Sequence, residues 1–169
     1  MNSTQPTVTL RPMLADEFPA YRDYFVVDYA IEIAENYGYT LEKSRTIARK
    51  ELAESLPQAI DTADHVLLCI ENENGETDGA RRTVGYLWYR LMDDGETAFG
   101  LDFTVFEPFR KKGYGKASID ALEKRLLHIG VAQLKLRVAF ENKDALRLYE
   151  NVGFRVTGYN MIKHLKEKI

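Results

Sequence analysis

The densest chemical signal in the chain is Arg110-Lys-Lys-Gly-Tyr-Gly-Lys116. It follows the extended, aromatic and β-branched run Phe103-Thr-Val-Phe106 and precedes a helical pattern. A strand that turns through two glycines into a helix start aims several backbone N–H groups at one point, where the helix dipole adds partial positive charge. Arg110, Lys111, Lys112 and Lys116 add full charges around Gly113, Tyr114 and Gly115. Residues 110–116 therefore predict an anion site suited to phosphate or pyrophosphate. Further along, Asn142 and Tyr149 stand seven residues apart on one predicted helix. Two turns bring them to one face about 10 Å apart along the axis, with Ala145 and Leu146 between, which suits an extended ligand running past the helix. Acids form a third group. Asp28, Glu32 and Glu35 recur at i, i+4 and i+7 of the first predicted helix, and Asp102 shares a strand face with Thr104.

Spacing discriminates among phosphate loops. The nucleotide P-loop requires Gly, four residues, then Gly-Lys-Ser/Thr, but Gly115-Lys116 is followed by Ala117 and preceded at the fifth position by Arg110. The dinucleotide fingerprint fits Gly113 and Gly115 but meets Ser118 at its third glycine, and it belongs near a first strand. A third pattern, Arg-x-x-Gly-x-Gly, is matched by Arg110, Gly113 and Gly115 and resembles the pyrophosphate loop of the GNAT superfamily of acyl-CoA-dependent N-acyltransferases. The segment Asn142-Lys-Asp-Ala-Leu-Arg-Leu-Tyr149-Glu-Asn-Val-Gly153-Phe154 is similar to a second motif of that family at every fixed position. The specific resemblance covers roughly residues 97–165.

The resemblance implies a single domain over 1–169 of α+β class, with a mixed, mostly antiparallel sheet flanked by helices. It further implies that the strand ending at Val105 and the strand ending at Ala139 splay apart into a cleft for acetyl-CoA. Main-chain groups of Phe103, Thr104 and Val105 and of residues 110–116, with Asn142 and Ala145, would hold that co-substrate. Tyr149 would be the general acid that protonates the leaving thiolate, and the acceptor a small cationic amine. A non-catalytic acyl-CoA-sensing or interaction module on the same fold, or a protein or peptide N-acetyltransferase, are the alternatives. The base stays open between Asp102, the acids of the first helix and water. Glu32 falls within the stripe of Phe18, Tyr21, Phe25 and Tyr29, where it could face a cationic amine. Where some relatives that acetylate protein N-termini carry an acid on the later strand, this chain has Arg137.

The elements that must position these residues read as follows. Strands are predicted over 8–12, 65–71, 82–92, 97–106, 134–139 and 154–165. Helices are predicted over 15–37, 41–56, 115–129 and 142–151, with Gly38 and Thr40 as caps and 71–81 as a loop. Hairpins mixed with crossover helices imply a mixed sheet. The 169 residues, 45% hydrophobic and 29% charged, suit one ordinary globular domain. A net charge of −3 argues against nucleic acid as the main partner. No apolar run approaches the roughly 18 residues of a membrane span, and Met-Asn-Ser-Thr-Gln-Pro lacks a signal-peptide pattern, so a cytoplasmic protein is expected, with homodimerisation open. The single cysteine, Cys69, reads as core, and the scattered histidines 65, 128 and 164 predict no metal site.

Overall fold

A computed structural model describes residues 5–73 and 81–165; the N-terminal tetrapeptide and most of the predicted 71–81 loop lie outside the described residues. The elements run β1 (Val8–Pro12), α1 (Phe18–Tyr37), α2 (Leu41–Ser55), β2 (His65–Asn72), β3 (Arg82–Leu91), β4 (Thr97–Val105), α3 (Tyr114–His128), β5 (Gln133–Leu136) and α4 (Lys143–Asn151). The sheet order is β1-β2-β3-β4-β5, antiparallel except for the parallel pair β4–β5 that α3 connects.

Strand periodicity sorts the sheet into two faces. Leu67, Cys69, Tyr86 and Trp88 turn toward α1 and α2 and pack on Tyr21, Phe25, Ala30, Ile33 and Leu52. The alternate residues Leu68, Ile70, Leu87 and Tyr89 pack on the other face with Tyr114, Leu122 and Leu126 of α3. α1 ends at Gly38, whose φ of 63° lets its N–H reach Ala34 O at 2.7 Å, and Thr40 then caps α2 by accepting from Lys43 N. Among the described residues no helix is long and apolar enough to cross a membrane.

Most observed boundaries fall within one residue of the sequence expectation, and three features depart further. α1 begins at Phe18, not residue 15, because a start at 15 would carry Pro19 into the helix interior, whereas here it falls in the first turn. β5 ends at Leu136 because its parallel pairing stops at Gly100↔Leu136. There β4 carries a bulge: Trp88 pairs with Asp102 and Tyr89 with Gly100, leaving Leu101 as the extra residue. The sixth strand expected over 154–165 is absent, and those residues run as irregular chain. Their alternation is broken by Gly158-Tyr-Asn160, and the side chains of Tyr159, Met161 and Leu165 are exposed, so no neighbouring strand supplies a ladder or a buried face.

Candidate active site

The bulge at Leu101 opens the site. Beyond Gly100, β4 continues to Val105 with β3 on one side and a gap on the side where β5 has ended. Phe106 donates its N–H to Val84 O at 2.8 Å. By the alternation of an antiparallel ladder, Thr104 and Asp102 therefore turn their main-chain groups toward β3, and Phe103 and Val105 turn theirs into the gap. The Val105 carbonyl accepts from Arg110 Nε at 2.8 Å, and the Phe103 N–H is hydrogen-bonded to the Asp102 carboxylate.

The basic loop leaves β4 through the short turn Glu107–Phe109 and enters α3 at Tyr114. Its backbone alternates in hand: Lys111 has φ 59° and Gly113 φ 88°. A Cβ at Gly113 would stand 3.0 Å from Pro6 Cδ, and one at Gly115 would stand 2.8 Å from Leu148 Cδ2. Glycine thus serves backbone conformation at the first position and close passage of α4 at the second. The first-turn N–H groups of Tyr114, Gly115 and Lys116 precede any intrahelical carbonyl, and Gly113 offers no side-chain cap, so these donors face outward for an anion. Tyr114 contributes only its backbone. Its ring is buried edge-on to Phe109. Lys116 pairs with Asp120 at 2.6 Å, and Lys111 and Lys112 are exposed.

Asn142 caps α4, its Oδ1 accepting from Ala145 N at 3.1 Å, which leaves its NH2 group as the outward donor. Two turns on, Tyr149 lies between Phe103 (ring centroids 6.4 Å apart) and Phe154 (5.4 Å, edge-on). Burial and the neighbouring Asp102 charge both push its phenol well above the usual tyrosine range, so Tyr149 holds its proton at neutral pH.

On the opposite face, a cavity of about 260 Å³ is lined by Asp28, Glu32, Asp102, Trp88, Leu101 and Arg137 among others. Tyr21, fully buried, donates its O–H to Asp102 Oδ2 at 3.0 Å. Desolvation, reinforced by Asp28 and Glu32, raises the Asp102 carboxyl to about 7 against that hydrogen bond and the Phe103 N–H. Burial likewise raises Asp28, opposed by the Arg110 charge. Glu32 is paired with Arg137 Nη1 at 2.7 Å. The like-charge repulsion within the helix is therefore offset by a cation from β5. Glu35 points to solvent outside this cavity.

Asp28, Glu32 and Asp102 thus converge, while the basic loop, Asn142 and Tyr149 gather on the far side of the gap. Four contributors went unread in the sequence: Tyr21 under Asp102, Tyr24 hydrogen-bonded to Thr104, Arg137 as partner of Glu32, and Leu101 as bulge. The only available signal was that Tyr21 and Glu32 share a helical stripe. Among the described residues no group of three His, Cys, Asp or Glu side chains could hold a metal ion.

Known proteins share this fold. YycN of Bacillus subtilis, an uncharacterized N-acetyltransferase, is 32% identical over 162 residues, covering 94% of this chain and 99% of that one. Its crystal structure superposes with a TM-score of 0.84 over 95% of this chain and 100% of that chain. YdgE of the same organism, likewise an uncharacterized N-acetyltransferase, is 27% identical over 93% of this chain and 98% of its own length. A shorter match, 34% identical over 55 residues, covers 32% of this chain and 24% of the L-ornithine N5-acetyltransferase NATA1 of Arabidopsis thaliana. The profile of the acetyltransferase (GNAT) family matches residues 31–154, from within α1 to the end of the Gly153-Phe154 motif. With the mixed sheet, the parted strands and the glycine-rich turn into α3 all in place, this chain belongs to the GNAT acetyltransferases.

Proposed function

We propose that the chain transfers an acetyl group from acetyl-CoA to the primary amine of a small cationic acceptor, with Asp102 as general base and Tyr149 as general acid. One observation carries this reading. A carboxyl that titrates near neutrality and a phenol that keeps its proton stand on opposite faces of the sheet at the one place where its strands part.

The residues present fit the co-substrate. The alternating-hand loop, the first-turn N–H groups of α3 and Lys111 and Lys112 offer donors and positive charge to a pyrophosphate. The inward Val105 N–H and Phe103 carbonyl, with the NH2 of Asn142 and the small Ala145, suit an amide-bearing arm in the gap. Thr104 spends its main chain on β3, so its part is the side chain that meets Tyr24. Acetyl-CoA would supply an acyl carbon activated as a thioester, with a thiolate as leaving group.

The chain's own residues manage charge and protons. Asp28, Glu32 and Asp102 attract an ammonium into the acceptor cavity. An ammonium has no lone pair, so Asp102, held ready by Tyr21, first takes one proton to free the amine. The amine nitrogen then attacks the thioester carbonyl, and its second proton passes from the adduct to solvent. Tyr149 donates its proton to sulfur as the C–S bond breaks. That the partial relative NATA1 acts on L-ornithine is in keeping with an amine on an alkyl arm.

Thiol release from acetyl-CoA across a panel of amines tests this, with thermal shifts by acetyl-CoA and desulfo-CoA alongside. Release with alkyl amines is expected. Stabilisation by the nucleotide without release from any amine would convert the reading to a sensor, and no stabilisation would remove the loop assignment.

A further inference from the structure

A second cavity, of about 430 Å³, adjoins the first and is lined by Glu51, Glu54, Ser55, His65, Arg90 and Leu101. Glu51, Ser55 and Leu101 belong to both, so the two form one trough over the α1–α2 face of the sheet. Its far end carries charges of both signs, which a simple diamine site would not need. Resting on the acceptor reading above, we infer that this end is a head-group subsite for the zwitterion of a free basic α-amino acid, whose side-chain amine is the group acetylated.

The register sets the distances. Trp88 lies across from Asp102 and Arg90 across from His65. Trp88 and Arg90 are two residues apart on one strand and share a face, a spacing of about 7 Å. Asp102 and His65 lie on the strands flanking β3, one on each side, so Asp102 is about 8 Å from Arg90 and about 12 Å from His65 between Cα positions. A ligand that presents an amine to Asp102 and a carboxylate to Arg90 spans the shorter distance. That is within reach of the four-carbon stem of a lysine-type side chain and its head group, with the Arg90 and His65 side chains extending toward it. Leu101, extruded by the bulge and 39% exposed, lines both cavities and supplies an apolar surface for the methylenes.

Each end of the head group has its counterpart. Trp88 Nε1 donates to His65 Nδ1 at 2.9 Å, which fixes the imidazole as the neutral tautomer with its proton on Nε2. Burial and the Arg90 charge both lower the His65 pKa, in keeping with that neutral form. His65 is thus a donor, and Arg90, exposed and otherwise bonded to Met92 Sδ, adds a guanidinium suited to a carboxylate. Glu51 and Glu54 of α2 provide carboxylates for the α-ammonium. Glu51 is oriented by the Tyr29 hydroxyl at 2.7 Å.

The test compares L-ornithine and L-lysine with putrescine and cadaverine, which keep both amines but lack the carboxylate, in wild type and in Arg90→Ala. Wild type should favour the amino acids in kcat/KM by about ten-fold or more, as expected for one charge-assisted pair. Arg90→Ala should abolish that preference through KM, leave kcat and the diamine kinetics unchanged, and regain part of it as Arg90→Lys. Diamines acetylated as well as or better than the amino acids, or an unaltered preference in Arg90→Ala, would overturn the subsite while leaving the transferase reading intact. Calorimetric binding of L-ornithine that Arg90→Ala abolishes, without thiol release, would support the subsite and remove the transferase reading instead.

Discussion

The two faces of the sheet hold the two halves of the site in different ways. On the α3–α4 face the donors for the co-substrate are backbone groups set by local geometry: the φ of Gly113, the first turn of α3, the inward N–H of Val105. On the α1–α2 face the acceptor site is made of side chains brought together across the fold. Tyr21 and Asp102 are 81 residues apart in sequence, and Glu32 and Arg137 are 105 apart. Backbone donors require only that glycine stands where it must and that a helix begins there. Side-chain charges in a half-buried cleft require partners, and substituting one partner shifts the pKa of the rest. The first face suits a constant ligand and the second a ligand that varies.

Substitutions can break this contrast. Asp102→Asn should have the largest effect, lowering kcat by about 10²-fold or more, in the range of general base loss, with acetyl-CoA affinity unchanged. It should also separate function from stability. The folded-state pKa of about 7 lies above the unfolded value near 3.9, so the native chain binds this proton more tightly than the unfolded chain. The stability that Asp102 contributes is complete below about pH 4 and is lost as pH rises through 7. Asp102→Asn should therefore melt above wild type at pH 8 and level with it near pH 4. A melting point below wild type at pH 8 would contradict the burial of this carboxyl.

Tyr149→Phe comes next, with kcat expected to fall ten-fold or more at constant acetyl-CoA affinity. Unchanged turnover would take the phenol out of the chemistry. Gly113→Val should weaken acetyl-CoA binding about ten-fold by calorimetry, because the branched residue disfavours a φ of 88° and presses on Pro6. Wild-type affinity would mean that the loop does not hold the pyrophosphate. Smallest is Glu32→Gln. Unpairing Arg137 should raise the acceptor KM several-fold with kcat and co-substrate affinity near wild type, and an effect on co-substrate binding would show that the two faces are not separable.

The same contrast governs how much was readable in the sequence. The loop and the α4 motif were legible because contiguous spacing encodes backbone geometry: a strand, two glycines and a helix start can be read from residues 103–116 alone. The sheet, its helices and the caps at Gly38 and Thr40 followed from period and punctuation. Asp102 could be placed on a face but not beneath Tyr21, since no local pattern records which distant side chain will meet it. Arg137 was readable only as a departure from an acid. Its pairing with Glu32 depends on where β5 parts from β4, which depends in turn on a one-residue bulge at Leu101. The strand expected over 154–165 failed for a related reason, because alternation describes a face and not the partner that would bury it.

The most direct test is the pH dependence of kcat/KM for an acetylated amine in wild type and in Asp102→Asn. Wild type should rise with pH and level off with a break near 7, the carboxyl's own titration. The residual activity of Asp102→Asn should lack that break. A break near 7 that survives the substitution would assign the proton to another group and contradict the role given to Asp102.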